Sequence, residues 1–103
     1  MIKKQDWRNN ILKVFKMKND ENRLYFANYD RIDEKIIFDN ALKSLKKDNS
    51  FIEGKTIIGP SEDIKDCSLN GYNFSLVYDI DYGTHIHSND KVAIDNLQKY
   101  FNS

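Results

Sequence analysis

Between positions 72 and 82 the chain alternates in character. Tyr72, Phe74, Leu76, Tyr78, Ile80 and Tyr82 occupy the even positions, and Asn73, Ser75, Asp79 and Asp81 the odd ones, with Val77 the single exception. A period of two is the mark of a strand with one face in a core and the other towards water or a partner. Asn70-Gly71 stands just before this run. It favours a two-residue type I′ turn, because both residues tolerate positive φ, so 64–69 and 72–82 are expected to form a hairpin. Gly83 allows a bulge or turn, and Thr84-His85-Ile86-His87 predicts a further short strand. Upstream, Gly54, Gly59 and Pro60 punctuate a short β-type run at Thr56-Ile57-Ile58, and Ser61 is placed to cap a brief helical turn through Glu62 and Asp63.

Elsewhere the period lengthens. Asp6 can cap a first helix in which Trp7, Ile11, Val14 and Phe15 recur at helical spacing, ending near Lys18-Asn19. The segment 23–29 reads equally as a short helix or a strand. A further helix is expected from an N-cap at Asp30, with Asp33 and Glu34 in the first turn and Lys43, Lys46 and Lys47 in the last turns, where each sign suits the helix dipole. Its buried stripe would be Ile32, Ile36, Ile37, Ala41, Leu42 and Leu45. Ser88 or Asn89 then opens a last helix through Val92, Ala93, Leu97 and Phe101. The expected fold class is α+β: N-terminal helices and a C-terminal helix packed on a small, mainly antiparallel sheet, in one domain spanning 1–103.

Size and composition fit that picture. A chain of 103 residues can bury one modest core. The longest strongly apolar run, Ile36-Ile37-Phe38, is far short of a membrane span. No apolar segment follows the basic start, so no secretory signal is expected. A lone cysteine, Cys67, excludes an intramolecular disulfide and suits a reducing compartment, which points to a cytoplasmic protein.

The formal net charge of zero hides an asymmetry. Residues 1–50 carry twelve Lys/Arg against eight Asp/Glu, and residues 51–103 carry four against eight. The imbalance is densest from 62 to 90, where six acids (Glu62, Asp63, Asp66, Asp79, Asp81, Asp90) meet one base, Lys65. An acidic surface speeds encounter with a basic protein, and its carboxylates can take the Arg and Lys that would otherwise hold phosphate. Tyr82, at the end of the alternation, is an aromatic anchor beside those acids, whereas Tyr78 falls on the apolar face. The partner-binding candidates are therefore Glu62, Asp63, Asp66, Asp79, Asp81 and Tyr82.

Catalytic readings are weaker. His85 and His87 share a strand face, but no third ligand motif accompanies them, so no metal is assigned. Asp79 and Asp81 lie two apart on one strand, whereas paired catalytic carboxylates come from separate elements across a cleft. Cys67 has Lys65 and Asp66 pulling its acidity in opposite directions, and no glycine-rich phosphate loop or nucleophile elbow is present. No enzyme activity and no cofactor are expected. The alternative to protein binding is a small nucleic-acid-binding or regulatory protein, using Lys3, Lys4, Arg8, Lys13, Lys16 and Lys18 on a basic N-terminal helix with Trp7 and Phe15 between them.

The segment from Asn70-Gly71-Tyr72 through Ser88, with its run Gly-Tyr-Asn-Phe-Ser-Leu-Val-Tyr-Asp-Ile-Asp-Tyr-Gly and the strand after it, in a small chain rich in Lys, Asn and Ile, resembles immunity proteins of bacterial contact-dependent growth inhibition systems. The resemblance implies a role: binding the toxin domain of a delivered effector, often a nuclease, and blocking its active site or substrate surface. The partner it implies is a cognate toxin domain with a basic surface. It carries no residue-by-residue motif, so the role is transferred and the site is not.

Overall fold

A computed structural model describes residues 12–103. Six strands and two helices follow in the order β1 (Val14–Met17), β2 (Asp20–Phe26), α1 (Glu34–Leu45), β3 (Phe51–Ile58), β4 (Glu62–Leu69), β5 (Tyr72–Asp79), β6 (Gly83–His87) and α2 (Lys91–Asn102). All strand pairs are antiparallel, in a single sheet of order β1-β2-β6-β5-β4-β3. The architecture is α+β, as the patterning predicts.

The β4–β5 hairpin forms as its sequence demands. Leu69 opposes Tyr72 across a turn in which Asn70 (φ 56°) and Gly71 (φ 84°) both take left-handed conformations. β5 ends at Asp79 rather than running on to Tyr82 as expected, and a turn at 80–82 joins it to β6. Asp81 and Tyr82 are therefore turn residues and not members of the strand face. Asp79 closes the turn by accepting hydrogen bonds from the backbone N–H groups of Asp81 (2.7 Å) and Tyr82 (3.0 Å).

Several expectations are corrected. Val14 and Phe15, expected in an N-terminal helix, lie in β1, and Lys18-Asn19 is the turn between β1 and β2, with Asn19 at φ 66°. The proposed cap Asp6, with Trp7 and Ile11, lies outside the described residues. Among the described residues only α1 lies in the N-terminal half, so the plural "helices" is not matched there. The ambiguous 23–29 segment is largely strand, ending at Phe26. α1 starts one turn later than expected: Asp33, not Asp30, is its N-cap, accepting from the Lys35 N–H at 2.9 Å. Ile32 and Ile36 are consequently half exposed, and Phe38 takes a buried place instead. Ser61 caps no helical turn, since Glu62 already begins β4 and the Gly59 N–H reaches the Glu62 carbonyl at 2.8 Å. α2 is capped by Asp90, rather than Ser88 or Asn89, through a bond from the Val92 N–H at 2.9 Å.

One face of the sheet carries both helices. Ile37, Phe38, Ala41 and Leu45 of α1 and Ile94, Leu97 and Phe101 of α2 pack on Val14, Leu24, Phe26, Cys67, Leu69, Phe74, Leu76 and Ile86. Paired residues across an antiparallel sheet share a face, so the register assigns the rest. Leu24, Ile86 and Leu76 form one buried row across three strands.

Candidate functional site

The opposite face carries no helix among the described residues. Register places one row of side chains across all six strands: Phe15 opposite Tyr25, Tyr25 opposite His85, His85 opposite Val77, Val77 opposite Ile64, and Ile64 opposite Ile57. Val77, the exception in the alternation, lies at the centre of this row. His85 beside it is buried, its ring 5.3 Å from that of Tyr25. The row opens towards its ends, where Phe15 and Ile57 are 42% and 53% exposed. A helix-free antiparallel face is ordinarily polar, so a continuous apolar row is informative.

Acids border the row on both sides. On one side Glu62 opposes Asp79. On the other, Asp66 opposes Ser75, whose hydroxyl donates to it at 3.2 Å, and the same line continues through His87 to Arg23. Four residues along a strand separate Asp66 from Glu62, about 13 Å. The acid excess therefore concentrates at the Glu62 and Asp79 end, because Arg23 shares the Asp66 side.

At that end the β5–β6 turn meets the start of α1. Asp33, Glu34, Tyr78, Asp79, Ile80, Asp81, Tyr82 and Gly83 line a shallow groove of about 350 Å³. Tyr82 and Ile80 stand largely exposed, at 73% and 64%. The groove is held open from beneath by Glu34. Its carboxylate accepts from the Thr84 N–H at 2.7 Å and from Asn28 Nδ2 at 2.8 Å, while the Thr84 hydroxyl donates to the Glu34 carbonyl at 2.7 Å. Gly83 is required here: its φ is +78°, and a Cβ would sit 2.7 Å from a Glu34 carboxylate oxygen.

Hydrogen bonds from the turn's own backbone, those of Tyr82 and then Asp81, hold the Asp79 carboxyl below its ordinary pKa. It stays ionised through the physiological range. Burial pushes the Tyr25 phenol up, with the charge of Asp20 adding to it. Burial also pushes the Cys67 thiol up to about 12, which leaves it protonated and inert.

The sequence-derived candidates are thus partly gathered. Glu62, Asp79, Asp81 and Tyr82 meet at one end of the sheet. Asp66 lies on the same face across the apolar row. Asp63 parts from them, because it pairs with Tyr78 on the helix-bearing face. Asp33 and Glu34 join the acidic groove although reading along the chain assigned them only to a helix start. Their arrival depends on α1 docking beside β6, which local sequence does not announce.

His85 and His87 do share a strand face, but among the described residues no group of three His, Cys, Asp or Glu is arranged to hold a metal ion. Of the basic N-terminal set, Lys13 contacts the Asn102 carbonyl at 3.2 Å and Lys16 lies 3.5 Å from Asp95. Lys3, Lys4 and Arg8 fall outside the described residues. Among the described residues no helix is long and apolar enough to cross a membrane. Comparison of the chain with protein-family models, with curated proteins and with solved structures returned no match.

Proposed function

We propose that this chain is an immunity-type inhibitor that binds a basic protein toxin domain through the acidic groove at the β5–β6 turn. One observation carries the reading: Asp79, Asp81, Asp33 and Glu34 surround the exposed Tyr82 and Ile80 in one groove, with Glu62 beside Asp79. Exposed aromatic and aliphatic side chains within a charged rim are the composition of a protein-binding surface, in which the apolar centre supplies affinity and the charges supply rate and register. The carboxylates of Asp81 and Asp79 would pair with Lys and Arg that a nuclease toxin uses to hold phosphate. Glu34 has a different part, since its carboxylate is already committed to Thr84 and Asn28. It holds the groove's shape.

Binding of purified candidate toxin domains, measured by calorimetry at two salt concentrations, tests this. Tyr82→Ala is expected to weaken binding by about 2 kcal/mol at either salt concentration, as loss of a central aromatic anchor does. Asp81→Asn is expected to act mainly through association rate, with its effect shrinking as salt rises. Asp79→Asn keeps the oxygen that closes the turn, so it reports charge rather than a collapsed loop. Binding unchanged in all three variants would remove this groove from the interface.

A further inference from the structure

The two edges of the sheet are treated differently. At the β1 edge, the side-chain amide of Asn102 acts as a surrogate strand. The Val14 N–H donates to Asn102 Oδ1 at 2.8 Å, and Asn102 Nδ2 donates to the Val14 carbonyl at 2.9 Å. That edge is also only four residues long. The β3 edge is eight residues long, and every residue from Ile52 to Ile58 is exposed. Among the described residues no backbone or side-chain group pairs with the outer side of residues 52–58. Long exposed edges carrying apolar side chains are templates for strand addition.

The register identifies what would fit. Gly59 N–H bonds to the Glu62 carbonyl, so Glu62 faces β3, and alternation makes Ile64 and Ser68 face it too. Their partners Ile57 and Ile52 therefore direct their backbone groups inward. Phe51, Glu53, Thr56 and Ile58 direct theirs outward, with the Phe51 N–H already bonded to the Asp48 carbonyl. Between Glu53 and Thr56 a bulge opposes Gly54 and Lys55 to the single residue Asp66. The extra residue shifts the side-chain parity. Ile52 and Ile57 come to share the helix-free face, while Phe51, Glu53, Thr56 and Ile58 share the other.

We infer that β3 pairs with β3 of a second copy of this chain, antiparallel about a two-fold axis between Gly54 and Lys55. In this register Ile52 of each copy faces Ile57 of the other on the helix-free face. Glu53 faces Thr56, and Phe51 faces Ile58. Glu53 and Thr56 then exchange both backbone hydrogen bonds, the Phe51 carbonyl meets the Ile58 N–H, and each facing pair shares a face. A register shifted by one residue, centred on Lys55, would set the two Lys55 side chains against each other and pair residues of opposite faces. The bulge, which would spoil pairing with a regular strand, is matched here by the same bulge in the second copy. The apolar row that crosses all six strands would continue into the second sheet through the Ile57 and Ile52 pairs. This inference does not rest on the acidic groove, which lies at the β5–β6 turn.

Sedimentation of the full chain over a wide concentration range, without any toxin, tests it. A monomer–dimer equilibrium is expected. Ile57→Lys, whose side chain is exposed, is expected to weaken the dimer by about tenfold or more. Thr56→Pro removes an outward N–H that its own sheet does not use and should act likewise, with circular dichroism checking that the fold persists. Ile52 and Ile57 would form a non-hydrogen-bonded pair, where Cβ atoms approach closely, so the double variant Ile52→Cys/Ile57→Cys should oxidise to a covalent dimer. A chain that stays monomeric throughout overturns the proposal, as does a dimer that survives both Ile57→Lys and Thr56→Pro. A dimer that the double cysteine variant fails to lock overturns the register.

Discussion

The two faces of this sheet are built from the same strands and do different work. Along β5, Phe74, Leu76 and Tyr78 turn to the helices, whereas Asn73, Ser75, Val77 and Asp79 turn away from them. The helix-bearing face closes over a core in which Leu24, Leu76, Ile86, Ile94 and Leu97 are essentially inaccessible, and turns polar only towards β3, where it carries Asp63, Lys65, Glu53 and Thr56. The other face is apolar along one row and charged on both sides of it. The first face closes the core, and the second leaves its apolar row buried at the centre and exposed at both ends.

Neighbours on β5 give the sharpest way to break that contrast. Leu76→Ala empties space between Ile86 and the two helices, and should lower unfolding free energy by about 2–5 kcal/mol in urea titrations. Val77→Ala, one residue along and also buried, removes two methyl groups from the helix-free face. It should lower stability by about 1–2 kcal/mol. Equal losses would mean that the second face is core as well.

The turns at the two ends of β5 offer a second contrast. Gly71 and Gly83 share a positive φ, but a Cβ at Gly71 meets nothing within 4 Å, whereas one at Gly83 collides with the Glu34 carboxylate. Gly71→Ala should therefore show only the conformational penalty, about 1 kcal/mol. Gly83→Ala should exceed it, at about 2–3 kcal/mol, because the chain must also displace the Glu34 bond to the Thr84 N–H. Amide hydrogen exchange at Thr84 checks the cause: it should quicken in Gly83→Ala and stay unchanged in Gly71→Ala.

The edges extend the comparison at smaller scale. Asn102→Ala removes the amide that pairs with Val14, and should lower stability by about 1 kcal/mol. Its local signature is faster exchange of the Val14 N–H. The Ile94 N–H, bonded within the first turn of α2, should not change.

How much of this could be read along the chain follows from which interactions are local. The β4–β5 hairpin was legible because Asn70-Gly71 dictates its turn and the alternation dictates its faces. β6 and α2 were legible too, since Thr84-His85-Ile86-His87 and the spacing of Ala93, Leu97 and Phe101 carry their own periods. β1 reads as helix along the chain. Val14 and Phe15 fit a helical stripe with Trp7 and Ile11, and nothing nearby says that Val14 pairs with Phe26. β3 was under-read at three residues, because an edge strand exposed on both faces shows no alternation.

Of the site, Asp79, Asp81 and Tyr82 are legible because they close one alternating, acid-rich run, although the strand itself stops at Asp79. Asp33 and Glu34 were missed because only the docking of α1 brings them there. The apolar row on the helix-free face is written one residue per strand, in a register that includes a bulge. Its sole trace in the sequence is Val77, the residue that breaks the alternation.

His85 gives the finest test of the two-face picture. It sits in the apolar row against Tyr25, only 5% exposed, with its Nδ1 3.3 Å from the Gly83 carbonyl. Burial pushes its pKa below the ordinary 6.5; the Gly83 carbonyl opposes that shift, Arg23 adds to it, and Asp79 and Glu62 also oppose it. The unfolded chain therefore takes up a proton at His85 before the folded chain does. Between 6.5 and the lower folded value the unfolded state binds more protons, so stability must fall as pH falls through that window. Asp79 also lowers stability on acidification, but in a separate range. Its folded pKa lies below the ordinary 3.8, so its contribution is complete above 3.8 and disappears only as pH drops through the folded value. Urea unfolding from about pH 7.5 to about pH 5 separates this window from that of Asp79, and comparison with a variant at position 85 assigns it to His85. The wild-type chain should lose stability on acidification there, and His85→Gln, which cannot ionise, should lose less. Parallel slopes would show that the histidine is as well solvated folded as unfolded, and that the centre of the row is open to water. A steeper wild-type slope would show that the row is closed at its centre and accessible only at its ends.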